Sequence, residues 1–107
     1  MKRQRVVIRE TAEDDLAGIE EYLAEKASAE VAGDFLDAAE HAFFLLASQP
    51  EMGRRWEGGG PAEARAWPLR LHRGYLVLYR PLDQERGIEV LRVLSFARDI
   101  QVLLEDE

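Results

Sequence analysis

The chain has 107 residues, 47% of them hydrophobic, with no cysteine and a formal net charge of −7. That length supports one domain with its own core, spanning residues 1–107, and the missing thiols exclude disulfides and thiolate metal sites. The acidic balance argues against a general nucleic-acid coat, because phosphate binding draws on a basic surface. No stretch approaches the roughly 20 apolar residues of a membrane span. The basic start, Met1-Lys2-Arg3-Gln4-Arg5, is not followed by the apolar run of a signal peptide before Glu10. A soluble, cytoplasmic protein without a membrane partner is expected.

Residues 5–9, Arg5-Val6-Val7-Ile8-Arg9, read as a short strand bracketed by charge. Thr11 offers a hydroxyl N-cap for a helix, with Glu13, Asp14 and Asp15 in the first turn where the helix dipole favours acids. Ala12, Leu16, Ile19, Leu23 and Ala27 form its one apolar stripe, and Glu13, Glu20 and Glu21 its wet face. Ser28 caps a second helix to about Ala47, with Val31, Phe35, Leu36, Ala39, Ala42, Phe43 and Leu46 turned inward. Only a turn fits between the two patterns, so an antiparallel helical hairpin across a sheet is expected.

Pro50 and Gly53 stop the second helix, and residues 48–63 read as a loop. Its Gly58-Gly59-Gly60-Pro61 lacks the Lys-Ser or Lys-Thr of a phosphate loop and has no strand before it, so it reads as a flexible connector. Residues 64–71 form a strand candidate that Pro68 confines to an edge, a bulge or a late start. After His72-Arg73-Gly74 comes an antiparallel hairpin whose strands run from Tyr75 and from Ile88.

Both hairpin faces are apolar. Tyr75, Val77 and Tyr79 oppose Leu76 and Leu78 on the first strand, and Ile88, Val90 and Leu94 alternate with Leu91 and Val93 on the second. A final amphipathic stretch carries Ile100, Val102, Leu103 and Leu104, entered through Asp99 as a cap. The fold class is therefore α+β. A small antiparallel-type sheet, with one N-terminal and three C-terminal strands, packs on an N-terminal helical hairpin, and a short C-terminal helix follows.

Together these segments resemble the ParE/RelE superfamily of type II toxins, and the ParE branch more closely. The matching pieces are Thr11-Ala12-Glu13-Asp14-Asp15-Leu16 with Ile19 and Tyr22, then Leu46 with Pro50 and Gly53. Gly74-Tyr75 with Tyr79-Arg80 follow, then Arg92-Val93-Leu94 with Ala97-Arg98-Asp99. The resemblance implies a toxin silenced by a cognate antitoxin. For the ParE branch it implies binding to DNA gyrase, which blocks replication without catalysis. For the RelE branch it implies ribosome-dependent cleavage of mRNA. A third reading is a harmless relic of the fold that only binds its antitoxin.

This sequence departs from the ribonuclease pattern. Leu76 stands where some RelE-type members carry arginine, Ser95-Phe96 stand where others carry His-Tyr, and no tyrosine follows Tyr79. Cleavage needs a general base and cations on the developing charge. His41 reads as a helix-surface residue and His72 as a turn residue. Two distant histidines make no metal set, and no cofactor is implied. Arg65, Arg70, Arg80, Arg92 and Arg98 are the candidate anion or target contacts, or else partners for acids. For an antitoxin groove, the uncovered sheet face offers Leu76, Leu78, Leu91 and Val93, extended by Ile100, Leu103 and Leu104.

Overall fold

The computed structural model describes residues 4–96 apart from Leu71, Arg73 and Glu85. The expected terminal helix, with Arg98, Asp99, Ile100, Leu103 and Leu104, lies outside the described residues. Strand β1 (Arg5–Ile8) leads into α1 (Glu10–Lys26) and α2 (Ala29–Ser48), followed by β2 (Arg54–Arg55), β3 (Arg65–Pro68), β4 (Tyr75–Pro81) and β5 (Gly87–Ser95). The α+β class is as expected, with the helical hairpin on one face of the sheet.

The sheet departs from expectation in two ways. It has five strands in the order β1-β5-β4-β3-β2, because the stretch read as loop contributes the two-residue β2 to the edge. It is also mixed: β1 runs parallel to β5, from Arg5 opposite Gly87 to Ile8 opposite Val90. A parallel neighbour needs a long crossover, and α1, α2 and the strands that follow supply it. Pro68 is the last residue of β3, where its missing N–H does least harm to the ladder.

The helices form where their stripes predict. Ala12 and Ile19 are buried on α1, and Phe35, Ala39, Phe43 and Leu46 on α2. The Ser28 hydroxyl caps α2 by accepting the Val31 N–H at 3.1 Å. Thr11 does not cap α1. Arg9 holds that position without a side-chain bond, and the Thr11 hydroxyl instead donates to the Leu91 carbonyl of β5 at 3.0 Å.

A β-bulge in the hairpin changes the faces. Leu78 pairs with Arg92 but Tyr79 pairs with Val90, so Leu91 has no partner of its own. Beyond it the alternation of β5 is reversed. Val93, expected beside Leu76 and Leu78, pairs with Val77 and packs in the helix-side core with Phe35, Tyr79 and Val90. Leu94 takes its place on the far face with Leu76, Leu78, Leu91, Ala64 and Ala66. Strict period-two reading fails after any such extra residue, because every later side chain changes sides.

Candidate partner-binding surfaces

Strand β1 ends at Ile8, whereas β5 continues past Val90 to Ser95. The edge of β5 beyond Ile8 would expose backbone groups, and α1 meets that need. Thr11 and Asp15 lie four residues apart and so on one helix face. Thr11 binds the Leu91 carbonyl, and the Asp15 carboxylate accepts the Val93 N–H at 3.0 Å. Asp15 also takes Arg92 in a two-pronged pair, with Nε at 2.7 Å and Nη2 at 3.0 Å. Thr11 and Asp15 of α1 therefore cover the sheet edge that β1 leaves open.

The candidate arginines do not converge. Arg65 on β3 donates to the carbonyls of Glu51 at 3.2 Å and Gly53 at 2.7 Å. Arg80 on β4 pairs with Glu89 at 2.7 Å, and Arg9 reaches the same carboxylate at 3.4 Å. Burial raises the Glu89 pKa, but the Arg80 hydrogen bond and the charges of Arg9 and Arg80 outweigh it and leave the carboxyl below its usual 4.5. The same hydrogen bond to Glu89 raises the Arg80 pKa. Arg92 is held by Asp15, and Arg70 lies over the Trp67 ring at 5.6 Å. His72 stands edge-on to Phe35 at 5.6 Å, and His41 is exposed on α2. No group of three or more metal-ligating side chains occurs among the described residues.

Tyr79 has a structural task that its sequence context did not reveal. Its buried hydroxyl donates to the Pro50 carbonyl at 2.7 Å and accepts the Gly53 N–H at 2.8 Å. The loop between α2 and β2 is thus tied to the sheet. A Cβ on Gly53 would sit 2.5 Å from the Tyr79 hydroxyl and 2.9 Å from the Ala66 carbonyl, so this close approach requires glycine. Burial raises the Tyr79 pKa above 10.0, against lowering by the Gly53 hydrogen bond and the Arg65 charge.

Tyr79→Phe should therefore cost about 1–3 kcal/mol in a urea melt, because the Gly53 N–H loses its buried acceptor. A raised folded pKa means that the tyrosine's contribution is complete below 10.0 and is lost as pH climbs through the folded value. The wild-type chain should thus lose stability above that pH more steeply than Tyr79→Phe; equal alkaline slopes would contradict the assignment.

Among the described residues a cleft lies on each side of the sheet. On the far face Leu76, Leu78 and Leu91 are only 5–8% exposed, and Trp56 packs against their cluster. A cleft of about 310 Å³ remains there, between Leu78, Leu91 and Leu94 and the Gly58-Gly59-Gly60 loop. A partner that reached deep into this face would have to lift Trp56 and that loop. The helix face holds the larger opening, a groove of about 1120 Å³ between α2 and β3. The hairpin packs over β5 and β1, which leaves the β3 side of that face open. Trp67, Leu69 and Met52 line one side, and Ala38, Ala42 and Leu45 the other.

Among solved structures the chain is similar to one described as the chromosomal ParDE TA system from P. aeruginosa, with a TM-score of 0.71. The likeness covers 86% of this chain and 95% of that chain at 17% identity, and so it defines a shared fold. A helical hairpin on a small mixed sheet is thus the fold of a known toxin–antitoxin component. The chain belongs to the ParE toxin family of type II toxin–antitoxin systems, parDE, whose family model matches residues 6–100. No curated protein matches it. No helix among the described residues is long and apolar enough to cross a membrane.

Proposed function

We propose that this chain is the toxin of a ParDE pair, neutralised by a cognate antitoxin, and that it acts by binding DNA gyrase rather than by cutting RNA. Family membership supports the toxin reading. The observation that carries the choice against catalysis is the commitment of Arg65, Arg80, Arg92 and Tyr79 inside the fold. Arg80 and Arg92 are neutralised by Glu89 and Asp15, Arg65 is spent on two carbonyls, and the Tyr79 phenol ties down a loop. An RNA-cleaving site needs cations aimed at the reacting phosphate and a group free to move a proton, typically worth about 10²- to 10⁴-fold in rate. Binding asks only for a shaped surface.

Induction of the chain alone in bacteria should produce filamentous cells and a DNA-damage response. Co-expression with the protein encoded beside it should restore growth. Rapid loss of protein synthesis with cleaved messenger would instead favour the ribonuclease reading, and unimpaired growth would favour a relic that only binds its antitoxin.

A further inference from the structure

Strand β2 consists of two exposed arginines, Arg54 and Arg55, at the outer edge of the sheet. In the β2–β3 ladder Arg55 lies directly opposite Arg65, and residues so placed project from the same face. The Trp56 N–H donates to the Ala64 carbonyl at 2.9 Å, which makes Trp56 and Ala64 a hydrogen-bonded pair. Alternation along the ladder then leaves Arg55 and Arg65 as a pair without mutual backbone bonds, the kind whose side chains stand closest. Two like charges are set side by side. The same alternation turns the Arg55 N–H outward from the edge strand, where it has no ladder partner.

No acid offsets these charges. Among the described residues Arg54 and Arg55 make no ion pair, and Arg65 donates to two carbonyls but to no carboxylate. Glu51, Glu57 and Glu63 lie in the same part of the sequence, and among the described residues none of them pairs with these arginines. Arg65 and Trp67 are opposite Tyr79 and Val77 of the helix-side core, so Arg55, Arg65 and Trp67 share that face. Exposed Arg70 follows, lying over the Trp67 ring. Arg54 falls on the other face, so the edge carries positive charge on both sides.

Like charges directly opposite on neighbouring strands destabilise a sheet, and a local rule broken without an internal partner marks a surface shaped for something outside the fold. Its ligand is an anion. From Arg65 to Arg70 the cations spread over up to roughly 17 Å at about 3.4 Å per residue, too far for one phosphate to meet them all. A DNA duplex carries one charge per ~1.7 Å of its axis and so presents several phosphates over that span. Trp67 lies under Arg70, and Trp56 packs on the far-face cluster, so neither ring is offered to unstacked bases. The surface suits a duplex backbone rather than the bases of a single strand.

We propose that the β2–β3 edge binds the phosphate backbone of duplex DNA, without reading sequence, through Arg54, Arg55, Arg70 and the uncompensated charge of Arg65. The choice of DNA over RNA rests on the gyrase reading above, which sets the protein beside a DNA segment. The formal net charge of −7 makes the contact weak for the chain alone. Gyrase holding the DNA supplies the high local concentration that a weak contact needs.

The test is titration of a fluorescently labelled duplex with the purified full chain at several salt concentrations, followed by anisotropy. The logarithm of the binding constant should fall against the logarithm of salt concentration with a slope of about −3, and two unrelated duplex sequences should bind alike. Arg54→Gln with Arg55→Gln should weaken binding about tenfold at low salt and reduce the slope by about 2. The same double variant should melt at the wild-type temperature or slightly above it, because the repulsion with Arg65 is relieved; a purely structural role would lower it. Arg86→Gln, at an exposed arginine between β4 and β5, should bind as the wild type does.

Unchanged affinity and slope in the double variant would overturn the proposal. Equally tight binding to polyglutamate would give the surface to an acidic protein, and tighter binding to single-stranded RNA than to the duplex would give it to RNA; either overturns it. Because the duplex is titrated without gyrase, the two readings fail separately. Gyrase-dependent breaks from a chain with no salt-sensitive affinity for DNA would overturn this surface and keep the gyrase reading. A chain that binds the duplex as described but leaves gyrase unaffected would do the reverse.

Discussion

Replacing Gly87 with alanine should lower stability by about 3 kcal/mol or more, a loss at the severe end for a single substitution. Gly87 opens β5 at φ +140°, and a Cβ there would overlap the carbonyl oxygen of Arg5, its partner across the β1–β5 ladder. The backbone conformation and the clash act together, so relief requires β1 to move off the sheet. For a domain of this size the expected fall in Tm is roughly 12–24 °C. Gly60→Ala is the control. Gly60 also has a positive φ, +93°, but nothing lies within 4 Å of its added Cβ, so only the backbone cost of about 1–2 kcal/mol applies. Equal, small losses in the two variants would show that β1 does not seat against Gly87.

Asp15→Ala should cost about 2–3 kcal/mol, because three bonds converge on one carboxylate that is only 16% exposed. The loss has two parts: the Arg92 pair, and the acceptor for the Val93 N–H at the end of the bulge. Asp15→Asn keeps an oxygen for Val93 and gives up the charge, so it should fall between wild type and alanine. Glu13→Ala, on the wet face of the same helix, should change stability by about 0.5 kcal/mol or less. Denaturant melts of the three variants measure the order. If Asp15→Ala behaves like Glu13→Ala, the helix does not hold the sheet edge.

These two positions also show what the amino-acid sequence reveals and what it hides. Both helices were legible, because stripes such as Leu16, Ile19 and Leu23 or Phe35, Ala39 and Phe43 repeat with the helical period, and Ser28 marks the start of α2. The hairpin was legible from its β-branched and aromatic runs. The side on which each β5 residue falls was not. The bulge at Leu91 depends on the pairing of Tyr79 with Val90, a register set by the whole sheet, and it moved Val93 into the helix-side core. Short β2 carries no apolar alternation at all, since both of its residues are arginines. Nor could chain order show that β1 would lie parallel to β5.

The site was less legible than the fold for a related reason. Arginines scattered over β3, β4 and β5 could be counted in the sequence, but their partners are set by the fold, from Glu89, nine residues from Arg80, to Asp15, 77 residues from Arg92. Thr11 looked like an N-cap because its type and place suit one; in fact it meets a carbonyl 80 residues away. The two sides of the open groove are similarly remote in sequence, one on α2 and the other around β3. Only the packed hairpin brings Asp34 and Asp37 to the same groove as Arg70.

Arg65, Arg80, Arg92 and Tyr79 are engaged within the fold, and the function proposed above is action through a surface. The most direct measurement adds the purified chain to DNA gyrase with supercoiled plasmid and, in parallel, to ribosomes carrying mRNA. DNA breaks that require gyrase, with intact messenger, are the expected result. Cleaved messenger with undamaged plasmid would contradict action through a surface alone.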